Sequence, residues 1–274
     1  MAVPDCPDSL VVFDFDETLA NESSDDAVAR AAPGGKLPDW LTSQYRDGQY
    51  NEQMQRVMAY LAQQGVPESS IRQQVAHIPE TPGLTPLLNY LRSLGNRVDC
   101  VVMSDANSYF IEAWLSHHKA RPLFSQIFTN PSHWDEASRG LVIANHHAHS
   151  CARGCPDNMC KQKVIRDFLE RRSQQGKGQY RRVFYVGDGA NDVCPCLALG
   201  QSDVAFARRD FPMHRILTQE THTLIHTHKE RGGEEKMRDG EIERERGGEG
   251  MVTVHPWSSG EDIVKFMKTI MEEK

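Results

Sequence analysis

Three apolar runs in this chain each end in acids, hydroxyls or glycines, and that recurrence constrains its fold more than any other feature. The first run is Leu-Val-Val-Phe over residues 10–13, followed at once by Asp14, Asp16, Glu17 and Thr18. The second lies in RVDCVVMSDAN and ends in Ser104-Asp105. The third, RRVFYV, opens into Gly187-Asp188-Gly189-Ala190-Asn191-Asp192. Short continuous apolar runs suit strands covered on both faces of a parallel sheet. Helical patterns alternate with them. TPGLTPLLNYLRSLG reads as a helix closed by Gly95, and CKQKVIRDFLERRSQQG sets Val164, Ile165, Phe168 and Leu169 on one face. Strands alternating with helices imply βαβ units, and such sheets build their sites beyond the carboxyl ends of the strands. SDVAFA fits a fourth strand, MVTVHPW a return to the sheet, and GEDIVKFMKTIMEE a terminal amphipathic helix.

The stretch from residue 22 to about 80 breaks the alternation. DDAVARAA, NEQMQRVMAYLAQQG and VPESSIRQQVAHI carry helical periodicity and no strand pattern. The expected organisation is an α/β, Rossmann-like core of residues 1–21 and 81–274, with an all-helical cap inserted over 22–80. Residues 229–250 hold 14 charged residues and six glycines among 22. Such a composition cannot bury enough surface to offset its ordering entropy, so a disordered loop is expected over about 220–250.

A net charge of −7 argues against nucleic acid or an anionic membrane as partner. The start, MAVPDCPDSL, lacks the pattern of a secretory signal, and no apolar run is long enough to span a membrane. Seven cysteines in a chain of 274 residues fit a reduced, cytoplasmic setting rather than a disulfide scaffold.

Side chains alternate along a strand, so Asp14 and Asp16 would share a side if extended geometry persists past Phe13. Two ionised acids so close are costly unless a cation sits between them or one keeps its proton. With Ser104, Asp105, Asp188 and Asp192 arriving at the same sheet edge, hard oxygen ligands gather around a small cavity. That set suits Mg²⁺, which engages one or two carboxylates together with phosphate oxygens.

In this order, D-x-D-x-T, hydrophobic-Ser, Lys and G-D-x-x-x-D resemble the haloacid-dehalogenase superfamily of phosphotransferases. The resemblance implies that Asp14 is a nucleophile forming an aspartyl-phosphate and that Asp16 is the general acid and then the base. It implies that Asp14, the Asp16 carbonyl and Asp188 bind Mg²⁺, with Asp192 orienting Mg²⁺-bound water. Ser104 would hold phosphoryl oxygens and Lys161 would offset negative charge. Lys163 is the competing lysine, but it points about 200° away on the same helix. An acid at position 16 fits a phosphatase, or less well a phosphomutase.

Within the superfamily, FDFDETLANESSDD, SDAN, HSCARGCPDNMCK, YVGDGANDVCP and PMHRI resemble the phosphoethanolamine/phosphocholine phosphatase family. That likeness implies a small phosphate monoester with an ammonium head group as substrate. It also implies release of phosphate for skeletal mineralisation, in the cytoplasm and matrix vesicles of mineralising cells. Asp105 and Asp25 would face the ammonium, with Asp26 as an alternative to Asp25. Trp40, Tyr45 and Tyr50 could surround a quaternary ammonium or simply form core. Rival readings are a phosphatase for pyridoxal phosphate or phosphoserine, and a non-catalytic binding module.

Finally, NHHAHSCARGCPDNMC concentrates soft ligands. A structural Zn²⁺ held by His147, His149, Cys151, Cys155 and Cys160 is one reading. Packed thiols and an oxidised cysteine pair are the others. Cys194 and Cys196 read as small buried hydrophobes.

Overall fold

The computed structural model of the chain describes residues 6–46, 48–138, 140–219 and 252–272. The charged segment expected as a disordered loop lies outside the described residues. Among the described residues the strands are β1 (Ser9–Phe13), β2 (Val98–Asn107), β3 (Gln126–Asn130), β4 (Ser132–Asp135), β5 (Gly140–Ile143), β6 (Arg182–Gly187), β7 (Val204–Arg208) and β8 (Thr253–Trp257). Six of them form one sheet in the order β3-β2-β1-β6-β7-β8, every neighbouring pair parallel. The core is therefore the Rossmann-like α/β sheet expected from the alternation of strands and helices.

Alternation along β1 divides the interior in two. Val11 and Phe13 face one layer, where they meet Leu84, Leu87, Leu88 and Leu91 of α5 (Leu84–Leu94), Phe110 and Trp114 of α6 (Ser108–His117), and Met267 of α10 (Gly260–Glu272). Leu10 and Val12 face the other layer. There they meet Val164, Ile165 and Phe168 of α7 (Lys161–Gln174), Cys196 of α8 (Val193–Cys196), and Met213 and Leu217 of α9 (212–219). Both faces of the sheet are covered, which is why its strands read as unbroken apolar runs.

After β1 the chain builds outward through β2 and β3, then crosses back to place β6 on the opposite side of β1. The sheet thus has a topological switch point between β1 and β6, where a crevice opens at the carboxyl edge. Register brings the chemistry there. Phe13 pairs with both Val102 and Val186, so Asp14, Ser104 and Asp188 all fall one or two residues beyond one line across the sheet.

The helical stretch holds α1 (Ser24–Ala29), α2 (Asp39–Thr42), α3 (Tyr50–Gln63) and α4 (Glu68–Ala76). In α3 the buried residues Met54, Val57, Met58 and Leu61 follow the i, i+3, i+4, i+7 pattern. The chain leaves and re-enters the core at adjacent points, through a bridge between Ala20 and Glu80 and a bond from Asn21 N–H to the Pro79 carbonyl of 2.8 Å. No helix of the described residues is long and apolar enough to cross a membrane.

Three strands were not anticipated from the sequence. β3 is short and only half-buried at its start. β4 and β5 form an antiparallel hairpin that packs on α3. There Gln55 Nε2 donates to the Ile143 carbonyl at 2.6 Å and Asn51 Nδ2 to Asn145 Oδ1 at 2.7 Å. A register shift between Met103 and Asn107 also carries β2 two residues past Ser104-Asp105.

The edge strand β8 is tied in by Trp257, which is 1 % exposed and donates its indole N–H to the Phe206 carbonyl at 3.2 Å. Trp257→Ala is expected to destabilise the protein by about 3–5 kcal/mol in denaturant unfolding. A cost below about 1 kcal/mol would mean that β8 adds little to the sheet.

Candidate active site

Asp14 follows the last residue of β1, and its backbone N–H continues the ladder by donating to the Val186 carbonyl at 2.9 Å. Its carboxylate is 4 % exposed. Oδ1 accepts from the Phe15 N–H at 2.7 Å and faces Lys161 Nζ at 2.9 Å. Oδ2 accepts no hydrogen bond among the described residues. Lys161 is the first residue of α7, 1 % exposed, and reaches Asp192 Oδ1 at 2.8 Å as well. Burial pushes its ammonium down, but the Asp14 and Asp192 carboxylates outweigh that and hold it above its usual range. Lys163 points outward, paired with Asp167 at 2.8 Å on the surface.

Asp192 is saturated. Oδ1 takes the Lys161 ammonium and the Tyr185 hydroxyl at 2.7 Å, and Oδ2 takes the Asp188 and Gly189 N–H groups at 3.1 and 2.9 Å. With its acceptor positions occupied, it braces the Asp188 loop and has little capacity left to ligate a metal. Gly187 permits this packing, because a Cβ there would lie 2.6 Å from the Asp192 carboxylate. Asp188 itself accepts from the Thr18 hydroxyl at 3.1 Å, and the Thr18 carbonyl accepts from Thr81 Oγ1 at 2.8 Å.

The site is short of positive charge. Asp14, Asp16, Asp25, Asp105, Asp188 and Asp192 act on one another electrostatically, with Lys161 as their buried counter-charge. Burial, then Asp192, pushes Asp14 well above the usual carboxylate range, and the same two causes push Asp188 up to about 7. Asp14, Asp188 and Asp192 bring carboxylate oxygens within 4.8 Å of one another. This donor set fits a hard divalent cation with oxygen ligands, held by Asp14 and Asp188.

Asp16 turns toward the helical segment. Its carboxylate accepts from the Ser24 N–H at 2.7 Å and the Ser24 hydroxyl at 3.1 Å. Burial and then Asp25 nonetheless push it well above its usual range, which favours its protonated form. Asp25 accepts from the Tyr50 hydroxyl at 2.8 Å. Asp26, the alternative, is exposed. Asp25 lies at the wall of a hollow of about 430 Å³ that Tyr45, Tyr50, Met54 and Val57 also line. Trp40 is not among its lining residues. It packs edge-on against Tyr60 and is 57 % exposed, so the expected three-membered cage reduces to Tyr45 and Tyr50.

Ser104 is buried in β2, three residues before the strand's end, where its Oγ accepts from the Ala106 N–H at 3.2 Å. Beside it, the Asp105 carbonyl is fixed by Asn130 Nδ2 at 2.7 Å and Asn158 Nδ2 at 3.2 Å. The sequence reading missed these two asparagines, together with Tyr185 and Ser24, and it named Tyr50 as an aromatic wall without its hydrogen bond to Asp25. Thr18 was visible as the last letter of D-x-D-x-T without a task.

The histidine–cysteine reading needs correction. Cys151, Cys155, Cys160 and Cys194 bring their sulfurs together, while His147 and His149 stay outside the group. Their ring nitrogens are engaged with backbone. His147 Nε2 accepts from the Cys160 N–H at 3.3 Å. His149 uses Nδ1 for the Cys151 N–H at 3.3 Å and Nε2 for the Pro156 carbonyl at 2.8 Å. Burial holds His147 down at about 4, neutral at physiological pH. Cys194, expected as a small hydrophobe, is buried and also a member of the cluster. Cys196 keeps the simpler role, donating its S–H to the Asp192 carbonyl at 3.2 Å.

A family model described as "Putative Phosphatase" matches residues 9–239. The phosphoethanolamine/phosphocholine phosphatase of Homo sapiens is 46% identical over 220 residues, covering 80% of this chain and 81% of the human one. The pyridoxal phosphate phosphatase of Mus musculus is 40% identical over 215 residues, covering 78% of this chain and 88% of its own. Among solved structures, a HAD family hydrolase of Salmonella enterica aligns with a TM-score of 0.55 at 17% identity. It covers 77% of this chain and 66% of that one, a likeness of fold.

The geometry separates the two lysines by experiment. Lys161→Met leaves buried carboxylates unpaired and is expected to cost about 3–5 kcal/mol at pH 7. Asp14 is raised in the fold, so lowering the pH protonates it and shrinks the deficit. Lys163→Ala should change stability by no more than about 1 kcal/mol, as is usual for an exposed pair. Chemical denaturation of both variants at pH 5 and pH 7 reads this out, and equal costs would contradict the assignment.

Proposed function

The chain belongs to this phosphatase family, with the haloacid-dehalogenase type of fold, and on that premise we propose that it is a Mg²⁺-dependent phosphomonoesterase for phosphoethanolamine and phosphocholine. The observation that carries this reading is the surplus of carboxylate around Asp14. A dianionic phosphate could not enter such a field without a cation, whereas the ammonium end of a zwitterionic ester is drawn to it.

When bound, Mg²⁺ would be held by Asp14, the Asp16 carbonyl and Asp188, and would neutralise phosphate and carboxylate charge together. The chain's own groups do the rest. Asp14 attacks phosphorus, forming an aspartyl-phosphate as the P–O bond to the alcohol breaks. Asp16, whose protonated form is favoured by burial and then by Asp25, gives its proton to the departing alkoxide oxygen. It then takes a proton from the water that attacks phosphorus, and the Asp14–phosphate bond breaks to release inorganic phosphate. Ser104 and the N–H groups beside it hold phosphoryl oxygens, while Lys161 balances Asp14 throughout. Residues 22–80 act as a cap on the core formed by 1–21 and 81–274. Ser24 of that segment holds the Asp16 carboxylate and so ties the proton donor to the cap.

At the cap side, Asp25 and Asp105 face the ammonium and Tyr45 and Tyr50 supply aromatic surface. The same aromatic hollow supports a second reading, in which a planar pyridoxal ring lies against the tyrosines, as the activity named for the mouse relative suggests. Phosphate release across phosphocholine, phosphoethanolamine, pyridoxal phosphate, phosphoserine and glycerol phosphate, with and without Mg²⁺, decides between them. Preference for the first two supports the ammonium pocket, and preference for pyridoxal phosphate overturns it while keeping the chemistry. Asp14→Asn should lower kcat by about 10⁴-fold or more.

A pH test isolates the pocket. Asp25 is pushed up to about 7, by burial first and also by Asp105, against the pull of the Tyr50 hydroxyl. It attracts a cation only when ionised. The ratio of kcat/KM for phosphocholine to that for ethyl phosphate should therefore rise as pH increases through about 7. Asp25→Asn should lower that ratio about tenfold, ~1.4 kcal/mol, and make it flat with pH. An unchanged pH profile in the variant would contradict the role of Asp25.

A further inference from the structure

We propose that Cys151, Cys155, Cys160 and Cys194 bind a structural zinc ion, separate from the cation site at Asp14 and Asp188. All four sulfurs lie within 4.8 Å of one another. The Cys151–Cys155 and Cys151–Cys194 separations are 3.6 and 3.8 Å. Sulfurs at the corners of a tetrahedron with arms of about 2.3 Å, the usual Zn–S length, sit ~3.8 Å apart. A disulfide needs about 2.0 Å, and these cysteines are free thiols. Four sulfur ligands without a carboxylate select zinc over magnesium or calcium.

The surroundings point the same way. Residues 144–160 run without helix or strand between β5 and α7. An irregular connection longer than about 12–15 residues is uncommon in a compact domain unless something fastens it. Three of the four cysteines lie in this stretch. The Arg153 backbone N–H is directed at Cys151 Sγ, a donor that suits a thiolate better than a thiol. Arg166 lines a hollow with Cys151 and Cys160 and adds positive charge near a four-thiolate zinc centre, while Lys163 in the same hollow is already paired with Asp167. On binding, each cysteine loses its proton to solvent and the ion gains four sulfur bonds, with no change of oxidation state.

The placement has a consequence for the catalytic edge. Cys160 is the residue before Lys161 at the start of α7, and Cys194 lies two residues past Asp192. A single ion would therefore join the backbones that carry both partners of the Lys161–Asp192 pair, fixing their separation from outside the active site.

Metal analysis of tag-free, full-length protein, purified with reductant and dialysed without chelator, tests this directly. About one equivalent of zinc per chain is expected. A mercurial reagent titrated into the wild-type protein should release that zinc as four thiols react. Cys194→Ser and Cys151→Ser should each lose it, and Cys6→Ser should retain it. Cobalt(II) in place of zinc should give the sulfur-to-metal charge-transfer absorption of a tetrahedral thiolate site. Zinc below about a tenth of an equivalent in fully reduced protein would overturn the proposal. So would iron in its place, a disulfide among these cysteines, or zinc that survives Cys194→Ser. The mercurial titration needs no variant, so a poorly folding mutant does not shield the proposal.

Discussion

The site depends on one buried ammonium held between two carboxylates. Lys161 lies 2.9 Å from Asp14 and 2.8 Å from Asp192, away from water. Charges removed from solvent are costly, and mutual attraction compensates only when the geometry is good and the remaining donors and acceptors are satisfied. Asp192 meets that condition fully, with two backbone N–H groups and the Tyr185 hydroxyl completing its shell. Asp14 does not. It shares its counter-charge, keeps one oxygen without a hydrogen bond among the described residues, and sits in the field of further acids. The arrangement is a saturated anion, a shared cation and a less satisfied carboxylate, and its excess negative charge suits a second, divalent cation.

That local electrostatic frame is reached from several directions in the chain. β1 supplies Asp14, the loop after β6 supplies Asp188 and Asp192, and the start of α7 supplies Lys161. Asp16 belongs to the same loop as Asp14 but is held by Ser24 at the first turn of the helical segment. Two neighbouring acids thereby acquire different environments. One is paired with an ammonium. The other is hydrogen-bonded to neutral donors and pressed by Asp25, which favours its protonated form. Burial raises both carboxyls, but only Asp14 has an ammonium beside it that pulls the other way, and under the proposed mechanism that difference would divide nucleophile and proton donor between them.

Much of this was legible in the sequence because strand geometry is periodic. Short apolar runs with acids at their ends fixed which residues would meet at the edge, and the parallel register aligned them as expected. Helix geometry keeps Lys161 and Lys163 from facing the site together, and the place of Lys161 at the helix start, matching the superfamily pattern, selects it. What was missed depends on contacts between distant segments. Asn130 and Asn158 hold the Asp105 backbone, but nothing near either residue announces a partner. β3, with Ile127 and Phe128 as its apolar residues, is too short for a periodic signal, and the half-exposed β4–β5 hairpin is no clearer. The cysteine cluster was legible in part, for the converse reason. Its three sequence-local cysteines stand in the motif, but the zinc reading adds neighbouring histidines, whereas the fourth sulfur comes from Cys194, which reaches the cluster through the fold.

The central claim is that Asp14, and no other carboxylate of the six, becomes covalently phosphorylated. Rapid acid quench during turnover of phosphocholine, followed by borohydride reduction and peptide mass spectrometry, tests it most directly. Reduction converts an aspartyl-phosphate to homoserine, so the account predicts homoserine at position 14 in the quenched enzyme and unmodified Asp16, Asp25, Asp105, Asp188 and Asp192. Homoserine at another of these positions, or none at all while choline release shows a pre-steady-state burst, would contradict it.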